Sequence, residues 1–144
     1  MSLFSVLSIG ASGMSAQRVR AELLTENLAN AETTRTPDGG PYKRKDAVFE
    51  SAAAPSPFSS YLDAQINAPG GVAVAEVVTY SGEPERRYLP GHPDADANGY
   101  VAFPHVNPAE DMVDLMGAAR GYQANVSAIA AVKDMIQRSF DLFR

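Results

Sequence analysis

One short stretch, "HPDADANG", holds the residue types best suited to chemistry, and it covers residues 92–99. Asp94, Asp96 and Asn98 stand at alternate positions, and Gly99 follows them. This D-x-D-x-N-G order matches the opening of an EF-hand calcium loop, in which side-chain oxygens wrap a hard cation and glycine permits a sharp turn. The stretch is therefore a weak candidate for a calcium site.

Three nearby residues argue against that calcium site. The position that should supply a bidentate glutamate is His105, and Pro93 and Pro104 exclude the flanking helices of an EF-hand. The alternative is a tight loop in which Asp and Asn side chains bond to their own backbone. We expect this structural loop and no bound metal, and a calcium titration would separate the two.

Enzyme chemistry finds little support elsewhere in the chain. There are two histidines and no cysteine. The run "GASG" at residues 10–13 is not a G-x-S-x-G nucleophile elbow, and no glycine-rich stretch has phosphate-binding spacing. The adjacent carboxylates Glu110 and Asp111 suit the positive end of a helix rather than a cleft. We therefore predict no catalytic residue, no cofactor and no enzymatic activity.

The composition is that of a chain that folds, and it does not indicate a particular cellular compartment. The 144 residues are 45% hydrophobic and 20% charged, with a formal charge of −5 from 12 basic and 17 acidic residues. An acidic chain of this kind disfavours nucleic acid as a partner. No window approaches the roughly 18 apolar residues that span a bilayer, and no base precedes the first apolar run as it does in a secretory signal. We expect neither a membrane span nor a cleaved signal peptide.

Both ends of the chain carry apolar residues at steps of three and four, the spacing of a helix that lies along another helix. The C-terminal series is Met112, Leu115, Ala119, Tyr122, Val126, Ile129, Ile136, Phe140 and Phe143. The N-terminal series is Leu3, Leu7, Met14, Ala21, Leu24 and Leu28. Asn107 suits the cap of the C-terminal helix, and Pro108 suits its first turn. The residues of the two apolar series are predicted to form the helix seam and the subunit interface.

The middle of the chain changes from this spacing to alternating apolar residues and turns. Alternation indicates short strands at residues 72–80, 85–89 and 100–103. Residues 51–71 are small, polar and punctuated by proline, which predicts a loop or mobile segment. The basic run of residues 43–45 is expected to be a solvated turn or strand edge, and the alternative is a contact with an acidic partner.

The predicted fold class is α+β. An N-terminal core helix at residues 1–30 and a C-terminal core helix at 109–144 form an extended coiled-coil-like pair, with a loop and a β-rich insertion at 31–108 between them. The helices would reach about 42 Å and about 52 Å, longer than a compact body of this size. We therefore expect them to pair, antiparallel if the insertion returns the chain to the same end.

The C-terminal helix is also apolar outside its seam, for example at Met116, Ala128 and Met135. A helix that is apolar on more than one side expects neighbours on more than one side. These neighbours come either from a bundle that the chain closes by itself or from other copies and related chains. Head-to-tail contacts that do not close would build a filament.

Particular stretches resemble the bacterial flagellar rod, hook and hook-associated proteins. The helix that ends in "A-N-x-x-T" is similar to their N-terminal signature, and "GHPDADANGY" and "NPAEDMVDLMGAARGYQANVSAI" are similar to later stretches. The resemblance covers nearly the whole chain. The family motif residues are Ala29, Asn30, Thr33, Gly91, His92, Pro93, Asp94, Asp96, Gly99 and Tyr100.

The resemblance implies a structural subunit without enzymatic activity. Its terminal helices would pack with neighbouring subunits into the tubular core of a rod that crosses the periplasm around the export channel. The implied partners are further copies, other proximal and distal rod proteins, the adaptor that joins the rod to the membrane ring, and the flagellar type III export apparatus. Another axial rod or hook subunit is the nearest alternative, and a helical adaptor with a calcium loop is the next.

Overall fold

The computed structural model describes residues 3–52 and 70–141, the side chain of Leu3 excepted. Its elements follow the chain as α1 (Leu3–Ala29), β1 (Lys45–Ser51), β2 (Val72–Thr79), β3 (Glu85–Tyr88), β4 (Tyr100–Phe103) and α2 (Pro108–Asp141). Two long terminal helices therefore enclose a small strand region, which confirms the predicted α+β class. No helix in these ranges is long and apolar enough to cross a membrane.

The two helices pack antiparallel, and glycines set the distance between them. A methyl group on Gly10 would lie 3.0 Å from Ile129 Cγ1, and one on Gly121 would lie 3.2 Å from Gln17 Cδ. Early residues of α1 thus meet late residues of α2, as they do in an antiparallel pair. Because hydrogen is the only side chain that fits these places without displacing a neighbour, the backbones approach closely.

The face of α2 that meets α1 differs from the predicted seam at several steps. Asp111, Ala118 and Val132 are buried, whereas Met112 and Val126 are exposed. The contact face therefore runs one residue earlier than the apolar spacing indicated at these steps. Ile129 lies over Gly10 and Asn125 lies over Gly13, whereas the larger side chains of Met112 and Val126 point away from α1.

The start of α2 follows its local sequence. The Asn107 side-chain oxygen accepts a hydrogen bond from the Ala109 amide at 3.2 Å, and the Asn107 carbonyl accepts from the Asp111 amide at 3.0 Å. Pro108 occupies the first helical position, where its missing amide hydrogen costs nothing. The predicted cap is therefore present.

The strand region consists of two antiparallel hairpins. In the first, β1 pairs with β2 from Lys45 opposite Thr79 to Ser51 opposite Val72, with a bulge after Val48. In the second, β3 pairs with β4. The three predicted strands are present as β2, β3 and β4, but sequence reasoning missed β1. Of the predicted loop at 51–71, residues 53–69 lie outside the described residues.

Candidate functional site

The helix pair leaves a large amount of apolar surface exposed. The exposed large apolar side chains of the two helices are Phe4, Val6, Met112, Val113, Met116, Tyr122, Val126, Met135 and Phe140. The extremes are Phe4, 81% exposed, and Phe140, 72% exposed. Both lie at the end of the pair that is far from the strands. Exposed apolar surface of this extent is typical of an interaction site on a folded protein.

On α2 the exposed apolar residues form two flanks, since an α-helix turns about 100° per residue. The Met112 flank consists of the exposed residues Met112, Met116, Ala119, Val126 and Ala130. The Val113 flank consists of the exposed residues Val113, Gly117, Ala124, Ala128, Ala131 and Met135. A polar strip of Arg120, Ser127, Asp134 and Arg138 separates them. One face of α2 thus lies on α1, and two more apolar faces remain open.

The predicted seam residues fall into two groups. The first group faces the inside of the pair: Leu24 is buried, and Leu7, Met14, Ala21, Leu28, Leu115, Ile129 and Ile136 are half-buried. The second group points outward: Met112, Ala119, Tyr122, Val126 and Phe140 are exposed. Phe143 and the side chain of Leu3 lie outside the described residues. Only the first group therefore contributes to the contact between the two helices, and the second group is open to solvent in the single chain.

The near end of the pair is held by a buried asparagine that sequence reasoning missed. Asn27 has none of its surface exposed. Its Nδ2 donates to the Lys45 carbonyl at 2.9 Å, and its Oδ1 accepts from the Lys45 amide at 2.9 Å and from the Tyr42 hydroxyl at 2.9 Å. Burial is the main cause that raises the pKa of Tyr42 to about 12, so the hydroxyl keeps its proton and donates.

An ion pair joins the start of α2 to the segment before β1. Arg44 Nη2 lies 3.1 Å from Asp111 Oδ1, and the Asp111 side chain is wholly buried. The same nitrogen lies 3.5 Å from Asp46 Oδ1. Burial raises the pKa of Asp111, whereas the nearby Arg44 charge lowers it. The expectation of a fully solvated basic run was therefore wrong for Arg44, since its side chain is only 19% exposed.

The "A-N-x-x-T" residues end α1 and turn the chain. The Asn30 side chain donates to the Glu26 carbonyl at 2.9 Å, which satisfies one of the open carbonyls of the last turn. Thr33 Oγ1 donates to Asn30 Oδ1 at 3.2 Å, and the Tyr42 amide donates to the Thr33 carbonyl at 3.0 Å. Ala29 is the last helical residue. This element therefore delivers the chain to the Asn27 contacts.

The "HPDADANG" loop uses its oxygens within the protein. Asp96 Oδ1 accepts from the Asn98 amide at 2.8 Å and from the Tyr100 amide at 2.9 Å. Asp94 Oδ2 accepts from Thr34 Oγ1 at 2.8 Å, which ties the loop to the turn after α1. The described ranges contain no group of three or more His, Asp or Glu side chains that could hold a metal.

The other motif residues of this loop shape its backbone. His92 Nδ1 accepts from the Asp94 amide at 3.1 Å. Gly99 has a φ of +81°, a backbone conformation that residues with a side chain rarely adopt. A methyl group there would lie 2.9 Å from the Tyr88 ring. Gly91 and Pro93 form the turn between β3 and β4, and Tyr100 opens β4. The arrangement is that of a tight connection between two strands.

Comparison with known families gives a class that fits this geometry. Residues 7–35 match the model described as "Flagella basal body rod protein". Residues 97–142 match the model described as "Flagellar basal body rod FlgEFG protein C-terminal". The two matches cover the two ends of the chain, which are the paired helices with their open apolar flanks. The fold and this surface define a rod protein of the flagellar basal body.

Relatives of nearly the same length narrow the class. The chain is 39% identical over 142 residues to the flagellar basal-body rod protein FlgC of Salmonella typhimurium, which covers 99% of this chain and 98% of the relative. It is 38% identical to the FlgC of Bacillus subtilis, over 99% of each chain. It is 37% identical to the FlgC of Borreliella burgdorferi, over 100% of this chain and 99% of the relative. The chain belongs to the FlgC family of flagellar basal-body rod proteins, and it is a structural subunit rather than an enzyme.

Proposed function

We propose that this chain polymerises through its terminal helices in the proximal part of the rod, where it helps to build the periplasm-crossing drive shaft around the export channel. One observation carries the proposal. Only one face of α2 lies on α1, while the Met112 and Val113 flanks remain exposed on either side of a polar strip. A subunit with two open flanks on one helix can meet two neighbours at once, as the wall of a tube requires.

The dimensions support this arrangement. The helices contain 27 and 34 residues, so they extend over about 40 Å and about 51 Å. Two helices of that length form only one layer, which cannot cover both sides of an apolar helix. Burial of apolar surface contributes about 25 cal/mol per Å². Covering the two flanks on assembly would therefore offset the cost of ordering the helix ends.

The partners follow from the same proposal. Other proximal and distal rod proteins would supply helices for the flanks, since related chains with paired terminal helices present similar surfaces. The adaptor between rod and membrane ring would contact the outermost copies. The subunit would reach the rod through the flagellar type III export apparatus, a route that uses no cleaved signal peptide.

A matched pair of substitutions tests polymerisation through α2. Val126→Asp places a charge in the Met112 flank, and Ser127→Asp places the same charge one residue later in the polar strip. Both residues are exposed, so neither change should unfold the chain. We expect Val126→Asp to abolish co-sedimentation of the purified chain with other rod proteins and to abolish swimming. The Ser127→Asp control should retain both.

Ile129→Asp is a useful third variant, because Ile129 packs over Gly10 inside the pair. We expect this variant to lose assembly and helix stability together, while the two hairpins stay folded. Normal swimming of Val126→Asp, in a strain that makes the variant at the usual level, would refute assembly through this flank.

A further inference from the structure

Two adjacent residues before and at the start of β1 hold two different helices. The Arg44 side chain reaches Asp111 of α2 at 3.1 Å. The Lys45 main chain makes both of its hydrogen bonds with the Asn27 side chain of α1. The Arg44 carbonyl also accepts from the Tyr80 amide at 2.8 Å, which closes the β1–β2 hairpin at the same place. Three elements therefore meet at this dipeptide.

We propose that Arg44 and Lys45 act as a clamp that fixes the β1–β2 hairpin at one angle on the helix pair, with Asn27 and Asp111 as the positioning residues that receive it. The clamp makes the hairpin and the near ends of α1 and α2 one rigid body. Its use in transmitting load from the rod core to the outer part rests on the proposed function. The rigidity itself is a property of the isolated chain.

Burial explains why this contact dominates the orientation of the hairpin. Asn27 and Asp111 are almost entirely buried, with exposed fractions of 0% and 1%. By contrast, most of β2 is exposed, including Val77 and Val78. The hairpin residues Ala47, Phe49 and Val74 are half-buried, but apolar contacts have no preferred direction. The buried hydrogen bonds of Asn27 are directional, and a wrong angle would leave their groups unpaired at high cost. Within the described residues the Asp111 oxygens have no hydrogen-bond partner, so the nearby Arg44 charge is what offsets their burial.

The other contacts between hairpin and helices are weaker. At the far end of the hairpin, Ser12 Oγ accepts from the Val72 amide at 3.1 Å in an exposed place. Near its middle, the Arg20 guanidinium lies 5.8 Å from the centre of the Phe49 ring. These contacts lay the hairpin along α1. A single exposed hydrogen bond contributes little, so loss of the clamp should release the angle.

The chain has no cysteine, which permits clean spin labelling. Glu76→Cys on β2 and Arg120→Cys on α2 place two labels at exposed positions. Pulsed electron–electron double resonance then measures the distribution of distances between the label on the hairpin and the label on α2 in the otherwise complete chain. We expect one narrow distance with the clamp intact. Asn27→Ala and Arg44→Met should each broaden the distance distribution, and the double variant should give the broadest distribution.

Several variants separate the clamp from general damage. Thr36→Ala removes an exposed hydrogen bond to the Gly40 carbonyl and should keep the narrow distance. Arg44→Lys keeps the positive charge and should restore part of it. Tyr42→Phe removes only the hydroxyl bond to Asn27, leaves both Lys45 bonds in place and should keep the narrow distance; if Asn27→Ala fails to fold, Arg44→Met decides the question.

Two failures are distinguishable. A narrow, unchanged distance in folded Arg44→Met would overturn the clamp and leave the rod function untouched. Failure of the unlabelled, unsubstituted chain to assemble with rod proteins would overturn the proposed function and leave the clamp standing.

Discussion

Gly13 of α1 and Asn125 of α2 face each other so closely that a methyl group on Gly13 would lie 3.0 Å from Asn125 Nδ2. That nitrogen already donates to the Gly121 carbonyl at 3.0 Å, so Asn125 is held on its own helix. At this point the helix pair is therefore fitted by a glycine and a polar side chain rather than by apolar residues. Several larger apolar residues of α2, such as Met112 and Val126, remain exposed.

The first prediction concerns this close approach. Gly13→Leu should force the helices apart and destabilise the isolated chain by on the order of 2 kcal/mol, because the added side chain would overpack against the Asn125 side chain. Urea denaturation followed by circular dichroism measures the loss. Gly117→Leu is the control, because a methyl group on Gly117 meets nothing within 4 Å. Equal stability of both variants would show that the pair is not closely fitted.

The second prediction separates stability from assembly. Gly117 lies in the Val113 flank, and replacing a helical glycine by a better helix former stabilises a helix by up to about 1 kcal/mol. Gly117→Leu should therefore unfold at slightly higher urea than the unsubstituted chain, yet fail to co-assemble with rod proteins. Arg120→Leu in the polar strip should still assemble. Full assembly of Gly117→Leu would remove the Val113 flank from the interface.

The third prediction is a pH dependence at the buried ion pair. Burial raises the pKa of Asp111 above its ordinary value of 3.8, the Arg44 charge lowers it, and the acidic neighbours Asp46, Asp114 and Glu110 raise it further. Arg44→Gln should let that pKa rise more. A carboxyl whose pKa is higher in the folded state binds its proton more tightly there. Stability therefore falls as the pH rises from the unfolded pKa through the folded one.

Arg44→Gln should consequently be destabilised by about 3 kcal/mol at pH 7, and by less near pH 4, close to the ordinary Asp pKa of 3.8, where more of the buried carboxyl is protonated. Urea midpoints at the two pH values measure the difference. Adding Asp111→Asn should remove the pH dependence of the deficit, since the asparagine does not titrate. A deficit that is equal at both pH values would contradict the buried charge as its cause.

The apolar spacing of the two ends was sufficient to predict both helices, their pairing and their excess of apolar surface. It could not predict which face of α2 meets α1. The apolar pattern includes the large residues Met112 and Val126 and so predicts that they face α1. In the structure, the close approach of the helices at Gly10 and Gly13 is made by a neighbouring face of α2. The hydrophobic pattern shows that a helix is buried, but its own partner and a neighbouring subunit give the same pattern.

The end of the helix pair near the strands, around Asn27 and Asp111, was harder to predict because its contacts are polar and join distant parts of the chain. β1 begins with the charged residues Lys45 and Asp46, which usually indicate a turn, and its pairing partner β2 is far away in sequence. Asn27 gave one usable signal, since an asparagine inside a helix competes with the helix backbone and needs a partner elsewhere. Nothing local identified that partner as Lys45.

The central claim concerns the end of the helix pair that is far from the strands, around Phe4 and Phe140. Its apolar side chains are buried only when neighbouring subunits cover them. Amide hydrogen exchange, measured residue by residue on the dilute isolated chain and on the same chain in assembled rods, tests it most directly. In the isolated chain we expect protection near Asn27 and Asp111 and rapid exchange around Phe4 and Phe140, with all four regions protected in the rod. Strong and equal protection of both helix ends in the isolated chain would contradict the account.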